Sequence, residues 1–372
     1  MNQLNLPKLI ALHLPQFHPI PENDEWWGKG FTEWTNVVKG KPLFKGHYQP
    51  HLPADLGFYD LRLPEAREAQ AAMAREYGIH GFCYYHYWFN GRRLLERPVK
   101  EIVASGKPDF PFCLCWANEN WTRAWDGGES QILMQQNYSE ADDLDHIRSL
   151  IPIFQDLHYI KIDGKPLFLV YRANHLPNPQ QTMETWRREA VKAGLAGLYL
   201  LRVESSSDEC SDPLKIGFDA ALEFQPRWGL LDGLKKHRDH WWERHKLGTG
   251  KRLYADYSIC NYRDLVTRAI ALELPPYPFI RCVCPGWDNS ARRKRGGLIL
   301  HNSTPEEYER WLTHTIRLAM SSHSGAMLQQ PFVFINAWNE WAEGNHLEPC
   351  QRWGRAYLAA TRNALFNSAV AV

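Results

Sequence analysis

Two glutamates three residues apart, Glu340 and Glu343, follow a short apolar run of β-forming residues, Phe332-Val333-Phe334-Ile335. The segment continues Asn336-Ala337-Trp338-Asn339-Glu340-Trp341-Ala342-Glu343-Gly344, so tryptophans stand on either side of the first carboxylate. Paired carboxylates suit glycosidic-bond chemistry, one handling a proton and the other assisting at the sugar carbon. The indoles of Trp338 and Trp341 offer flat apolar faces to the C–H surface of a sugar. The bland competitor is a salt-bridged surface turn, which the flanking tryptophans make less natural.

Such a pair needs a frame that delivers it to a cleft. Apolar β-rich runs occur at Leu9–Leu14, Ile79–Tyr87, Phe112–Ala117, Leu167–Tyr171, Leu198–Val203, Ala220–Phe224, Phe279–Val283 and Phe332–Ala337. Between them the apolar spacing turns helical, at Pro64–Tyr77, Arg92–Ser105, Ser139–Ile151, Gln180–Ala193, Tyr262–Leu272, Thr304–Met320 and Arg355–Leu365. Ser139 with Asp142, and Thr304-Pro305-Glu306-Glu307, carry the chemistry of helix starts. Ser205 to Phe218 is too short for a full helix and predicts an irregular connection. Eight strands alternating with helices predict a parallel α/β sheet closed into a single (β/α)8 TIM barrel domain over residues 1–372. Two long insertions, His18 to Arg62 without helix and about Pro226 to Tyr254, would project from the C-terminal face of the strands and roof a cleft.

In such a barrel, polar residues just past the strand ends are the functional candidates. The second strand runs into Tyr84-Tyr85-His86-Tyr87-Trp88, where alternation sends Tyr85 and Tyr87 to one side and His86 to the other. His86 reads more readily as a hydrogen-bonded rim residue than as a base. Trp116, Asn118, Glu119 and Trp121 follow the third strand, Arg172 the fourth, Glu204 the fifth, Glu223 the sixth, and Trp287 with Asp288 the seventh. Glu204 and Glu223 are accounted for equally well as rim partners of Arg202 or Arg227. Together with Trp34 of the first insertion and Trp338, Asn339 and Trp341 of the last turn, these amides, acids and indoles suit a polyhydroxylated ligand.

Composition narrows the alternatives. A net charge of +1 argues against nucleic acid or an acidic membrane as partner. No run approaches about 18 uninterrupted apolar residues, and the first residues lack a basic segment followed by an apolar core, so a cytoplasmic location is expected. The eight cysteines are expected to be reduced and mostly buried, and the C-x-C pairs at 113/115 and 282/284 lack typical zinc spacing. No metal or other cofactor is expected. Asp143-Leu144-Asp145 matches a D-x-D pattern, but its charged helix start reads as a solvated face. There is no G-x-G-x-x-G, P-loop, G-x-S-x-G or H-E-x-x-H sequence. Sixteen tryptophans, with 16 tyrosines and 16 phenylalanines, exceed what a core needs and fit stacking platforms for sugars, with barrel packing as the competing use.

The E-x-x-E turn, with Asn339 before it and Glu348-Pro349 after it, resembles glycoside hydrolase family 99. More closely, the chain looks like the WbsX family, labelled a glycosyltransferase family and met in surface-polysaccharide gene clusters. Three runs carry that likeness: Leu14-Pro15-Gln16-Phe17-His18-Pro19-Ile20-Pro21-Glu22-Asn23, Trp26-Trp27-Gly28-Lys29-Gly30-Phe31-Thr32-Glu33-Trp34-Thr35-Asn36, and Gly81-Phe82-Cys83-Tyr84-Tyr85-His86-Tyr87-Trp88-Phe89. The hydrolase family implies a barrel that cleaves inside α-mannosyl chains with retained configuration. On that resemblance, Glu340 would be the base that deprotonates the substrate's own 2-hydroxyl, giving an epoxide-like intermediate. Glu343 would be the acid at the leaving oxygen and then the base that activates water. Ala342 stands where that family tends to have a polar residue, so sugar and linkage are not implied.

The expectation is therefore a retaining glycoside hydrolase or transglycosidase acting on an α-linked, manno-configured bacterial oligosaccharide or polysaccharide. The alternatives are a glycosyltransferase of lipopolysaccharide or other surface-polysaccharide assembly, for which the basic run Arg292-Arg293-Lys294-Arg295 would suit phosphates, and a non-catalytic glycan-binding module. Oligomeric state is not legible.

Overall fold

Strands buried on both faces read as continuous apolar runs rather than alternating ones, and that property selects a closed parallel sheet here. The computed structural model describes residues 6–123, 128–205, 209–234, 257–321 and 330–370. The barrel strands are β1 (Lys8–His13), β2 (Ile79–Phe89), β3 (Phe112–Trp116), β4 (Lys165–Val170), β5 (Tyr199–Glu204), β6 (Ala220–Glu223), β7 (Phe279–Ile280 and Cys282–Val283) and β8 (Phe332–Ile335). Each pairs in parallel with its neighbours in sequence, and β8 returns to β1 through Leu9 opposite Val333 and Ile10 opposite Phe334. β7 joins β6 through Phe279–Ile280 and β8 through Cys282–Val283. Its break falls at Arg281, a buried arginine whose Nε donates to Glu223 Oε2 at 2.6 Å and whose Nη2 donates to the Ala269 carbonyl at 2.8 Å. Closure into a (β/α)8 barrel thus agrees with the strand count read from sequence.

Among the described residues the helices are α1 (Pro21–Trp27), α2 (Glu33–Val37), α3 (Pro64–Glu76), α4 (Arg97–Ser105), α5 (Glu140–Phe154), α6 (Pro179–Lys192), α7 (Trp228–Leu231), α8 (Tyr262–Ile270), α9 (Pro305–Met320) and α10 (Ala356–Val370). Ser139 Oγ accepts from the Asp142 N–H and Thr304 Oγ1 from the Glu307 N–H, so the expected N-caps of α5 and α9 form. Among the described residues, the irregular connection after β5 contains a short 3-10 turn at Pro213–Ile216. All eight cysteines are free thiols, seven of them buried and Cys210 exposed. No helix among the described residues is long and apolar enough to cross a membrane.

Three expectations need correction. The helix drawn from Arg92 begins only at Arg97; Arg92–Leu94 instead pairs antiparallel with the end of β2, Trp88 facing Arg93. Pro98 explains the late start, since proline is accepted in a helix's first turn but not further inside. The insertion after β1 is not free of helix: Pro21 opens α1, and a Thr32/Thr35 capping box fixes α2. Asp143 is buried rather than solvated, accepting from Thr182 Oγ1 at 2.7 Å, while Asp145 is exposed. Of the second insertion, residues 235–254, including the Lys235-to-Trp242 run, lie outside the described residues.

Candidate active site

The C-terminal ends of the strands surround a hollow of about 270 Å³. Leu14 enters it after β1, Tyr85 and Tyr87 from β2, Ala117, Glu119 and Trp121 after β3, Tyr171 after β4, Phe224 after β6, Trp287 after β7, and Glu340 with Glu343 after β8. α1 and α2 close one side with Asn23, Trp27 and Glu33, beside Gln16, and Arg292 completes the wall. Both turn glutamates therefore face a common space walled by aromatic rings.

The turn is held from behind. Asn339 Oδ1 accepts from the Leu14 N–H at 2.7 Å, and its Nδ2 donates to the Leu14 carbonyl at 3.0 Å and to Tyr59 Oη at 3.1 Å. Trp341 stacks on His346 with ring centroids 3.8 Å apart, and its Nε1 donates to Glu348 Oε2 at 2.6 Å. Glu348 also accepts from Tyr59 Oη at 2.8 Å and from Gln70 Nε2 at 2.7 Å. Burial nevertheless raises its pKa to about 7 against those three donors. Gly344 ends the turn at φ 56°, where an added Cβ would meet Asp288 Cβ at 3.0 Å. The Asp288 N–H donates to the Glu343 carbonyl, and its carboxylate receives His47 Nε2 at 2.6 Å. His47 Nδ1 accepts from the Leu43 N–H, so Nε2 carries the proton. Burial alone would raise the Asp288 pKa, but the His47 contact outweighs it and holds it below the ordinary value.

Electrostatics set the two glutamates apart. Burial, followed by the charge of Glu343, pushes the Glu340 pKa well above the usual carboxylate range. Glu343 is raised by burial too, but Arg292 opposes the shift and its Nη2 donates to Glu343 Oε1. Arg292 Nη1 also donates to Glu33 Oε1 at 3.3 Å. Glu33 is wholly buried at the first position of α2, where a carboxylate suits the helix dipole, and burial raises its pKa as well. Gln16 Nε2 donates to its second oxygen at 3.2 Å. Among the described lining residues, four acids (Glu33, Glu119, Glu340 and Glu343) face one cation, Arg292.

Of the residues singled out from sequence, Glu340, Glu343, Tyr85, Tyr87, Glu119, Trp121 and Trp287 line the hollow. The others do not reach it. Trp34 packs against Phe17, Tyr59 and Trp341 and donates to the Tyr59 carbonyl. Trp338 is fully buried against Phe82, and Trp341 sits on His346, so neither indole presents a face to a ligand. Asn339 spends its amide on Leu14 and Tyr59.

His86 points outward, as strand alternation requires, and meets His146 of α5 at 2.9 Å; Trp116 packs on the same histidine and on Trp186. Asn118 exchanges hydrogen bonds with the backbone of Arg172, and Arg172 Nε donates to Glu119 Oε1 at 2.7 Å. These two residues shape the wall without lining it. Glu223 is closed off by Arg281 and by Gln225, and Glu204 is held by Arg202 and Tyr277; the partner of Glu223 is thus neither Arg202 nor Arg227.

Glu33 and Arg292 were missed. The signal for Glu33 was present, an acid between aromatic residues in Phe31-Thr32-Glu33-Trp34, the pattern that pointed to Glu119. Arg292 was hidden in a basic run whose partners depend on tertiary contact.

A family model described as Glycosyltransferase WbsX matches residues 9–361. The protein described as "Uncharacterized protein WxcX" of Xanthomonas campestris pv. campestris is 44% identical over 359 residues, 96% of this chain and 49% of that protein. The chain thus spans about half the length of the curated relatives it matches. Among solved structures, the GH99 endo-α-mannosidase of Bacteroides thetaiotaomicron is similar over 98% of this chain and 98% of its own, with 14% identity and a TM-score of 0.55. A glycoside hydrolase-like protein is similar over 98% and 96%, with 12% identity and a TM-score of 0.58. At these identities the likeness is one of fold.

Proposed function

The chain belongs to the WbsX family, and from that premise we propose that it is a carbohydrate-active enzyme cleaving or transferring at an α-linked, manno-configured glycan with retained configuration. One observation carries the reading: two buried glutamates from a single turn share an aromatic-walled hollow at the C-terminal mouth of a barrel. On the assignment suggested by the E-x-x-E turn, Glu340 takes the proton of the substrate's 2-hydroxyl, whose oxygen attacks the anomeric carbon. Glu343 gives a proton to the departing glycosidic oxygen and later takes one from the incoming water or sugar hydroxyl. A proton donor at neutral pH needs a raised pKa, and burial supplies that direction at both carboxyls. Tyr85, Tyr87, Trp121 and Trp287 would contact the sugar.

The family description favours the second reading, glycosyl transfer from an activated donor in surface-polysaccharide assembly. The charge of the hollow weighs against a nucleoside-diphosphate donor bound at these residues, because four acids face a single guanidinium already engaged with two of them. Incubation with α-mannan fragments should release new reducing ends. UDP-, GDP- and dTDP-sugars should leave the melting temperature unchanged; a clear rise would turn the reading toward transfer.

A further inference from the structure

We propose that Arg292 is a positioning residue whose guanidinium, clamped between Glu33 and Glu343, decides which of the two turn glutamates carries the proton. The inference deepens the reading above and rests on it only for its catalytic consequence.

The geometry is asymmetric. Arg292 donates from Nη1 to Glu33 and from Nη2 to Glu343, whereas Glu340 Oε2 is buried with no hydrogen-bond partner among the described residues. Glu33 anchors the clamp, fully buried on α2 and held from its other oxygen by Gln16. Without the arginine, three carboxylates would crowd one low-dielectric space, where like charges cannot all persist. With it, one guanidinium offsets one unit of the negative charge shared by Glu33 and Glu343, and Glu340, outside the clamp, accommodates its own charge by protonation.

The remaining ionisable neighbours do not reverse this. Tyr85 and Tyr87 of β2 and Tyr171 after β4 are phenols that burial keeps neutral. Arg293, next to Arg292, favours an ionised Glu343. Glu119 is paired with Arg172, and Asp288 behind the turn is paired with His47.

Before substrate enters, this pairing favours the anion at Glu343 and the proton at Glu340. This is the opposite of what the first catalytic step needs. The proton must leave the Glu340 carboxyl and join the Glu343 carboxylate as the substrate enters, a transfer that leaves the charge of the site unchanged. Arg292 opposes that transfer, because its hydrogen bond is stronger to the Glu343 carboxylate than to the neutral acid. Arg292 thereby ties the protonation state to occupancy.

The test needs no substrate. Infrared difference spectra across pH, on wild type and on Glu340→Gln and Glu343→Gln, report which carboxyl is protonated. Beyond the band of the buried Glu348 carboxyl, a protonated band near neutral pH should vanish in Glu340→Gln and persist in Glu343→Gln. In the Glu340→Gln background, Arg292→Met should move the Glu343 titration to higher pH by at least a tenfold change in proton affinity. Arg292→Lys should restore part of it, and Glu33→Gln should move it the other way.

Loss of the band in Glu343→Gln instead, or a Glu343 titration unmoved by both Arg292→Met and Glu33→Gln in folded protein, overturns the proposal. Should Arg292→Met fail to fold, Glu33→Gln and Arg292→Lys carry the same test. A shifted titration in a protein that cleaves no glycan would sink the functional reading and leave this inference standing. In an active enzyme, the pH–rate limb belonging to Glu343 moves with the titration, which a merely structural arginine would not cause.

Discussion

Glu348 lies beneath the Glu340–Glu343 turn, buried, with three donors from Trp341, Tyr59 and Gln70. Burial raises its pKa from 4.5 to about 7. The folded protein therefore keeps a proton that the unfolded chain has released across that window. Stability supplied by this neutral carboxyl is fully present below the unfolded value of 4.5 and is lost as pH rises through about 7. With about 1.4 kcal/mol for each tenfold change in proton affinity, the loss from about pH 5 to about pH 8 is roughly 2.5 kcal/mol. Glu348→Gln keeps the size of the neutral acid but cannot ionise. Urea denaturation of both proteins across this range isolates the effect, because all other titrations cancel in the difference. The variant should gain about 2 to 3 kcal/mol on wild type as pH rises. Parallel stability curves would show that the three donors hold Glu348 ionised and that the burial argument fails.

Glu340→Gln and Glu343→Gln should each lower glycan turnover by about 10²- to 10⁴-fold while keeping substrate affinity, measured by steady-state rates and calorimetric binding. Asn339→Ala strands the buried N–H and C=O of Leu14, and should destabilise the fold by about 2 to 5 kcal/mol in chemical denaturation. Arg281→Met leaves Glu223 buried without its cation at the break in β7, for a loss of about 3 to 5 kcal/mol by the same assay. Trp121→Ala removes a wall of the hollow and should raise KM by about 2- to 10-fold with kcat nearly unchanged.

The barrel was legible because each strand is an unbroken apolar run, a pattern that does not depend on what lies across the sheet. Leu9 to Leu12 and Leu167 to Val170 are buried on both faces, as such runs require. The start of α4 was not legible, because helical spacing from Arg92 onward does not reveal that Arg92–Leu94 pairs with β2. At the site, alternation in β2 correctly separated Tyr85 and Tyr87 from His86. Past the strand ends no periodicity remains, so Trp338 and Trp341 were indistinguishable from wall residues although they pack inward. Glu33 and Arg292 lie 259 residues apart, and only the closed barrel brings them into contact.

The central claim is that Glu340 and Glu343 act on an anomeric carbon in this hollow with retention. Proton NMR following the first anomeric signal released from an α-linked manno-oligosaccharide tests it most directly. The account predicts that the α-anomer appears before mutarotation, and that neither glutamine variant yields it at a comparable rate. A β-anomer formed first, or undiminished release by both variants, would contradict it.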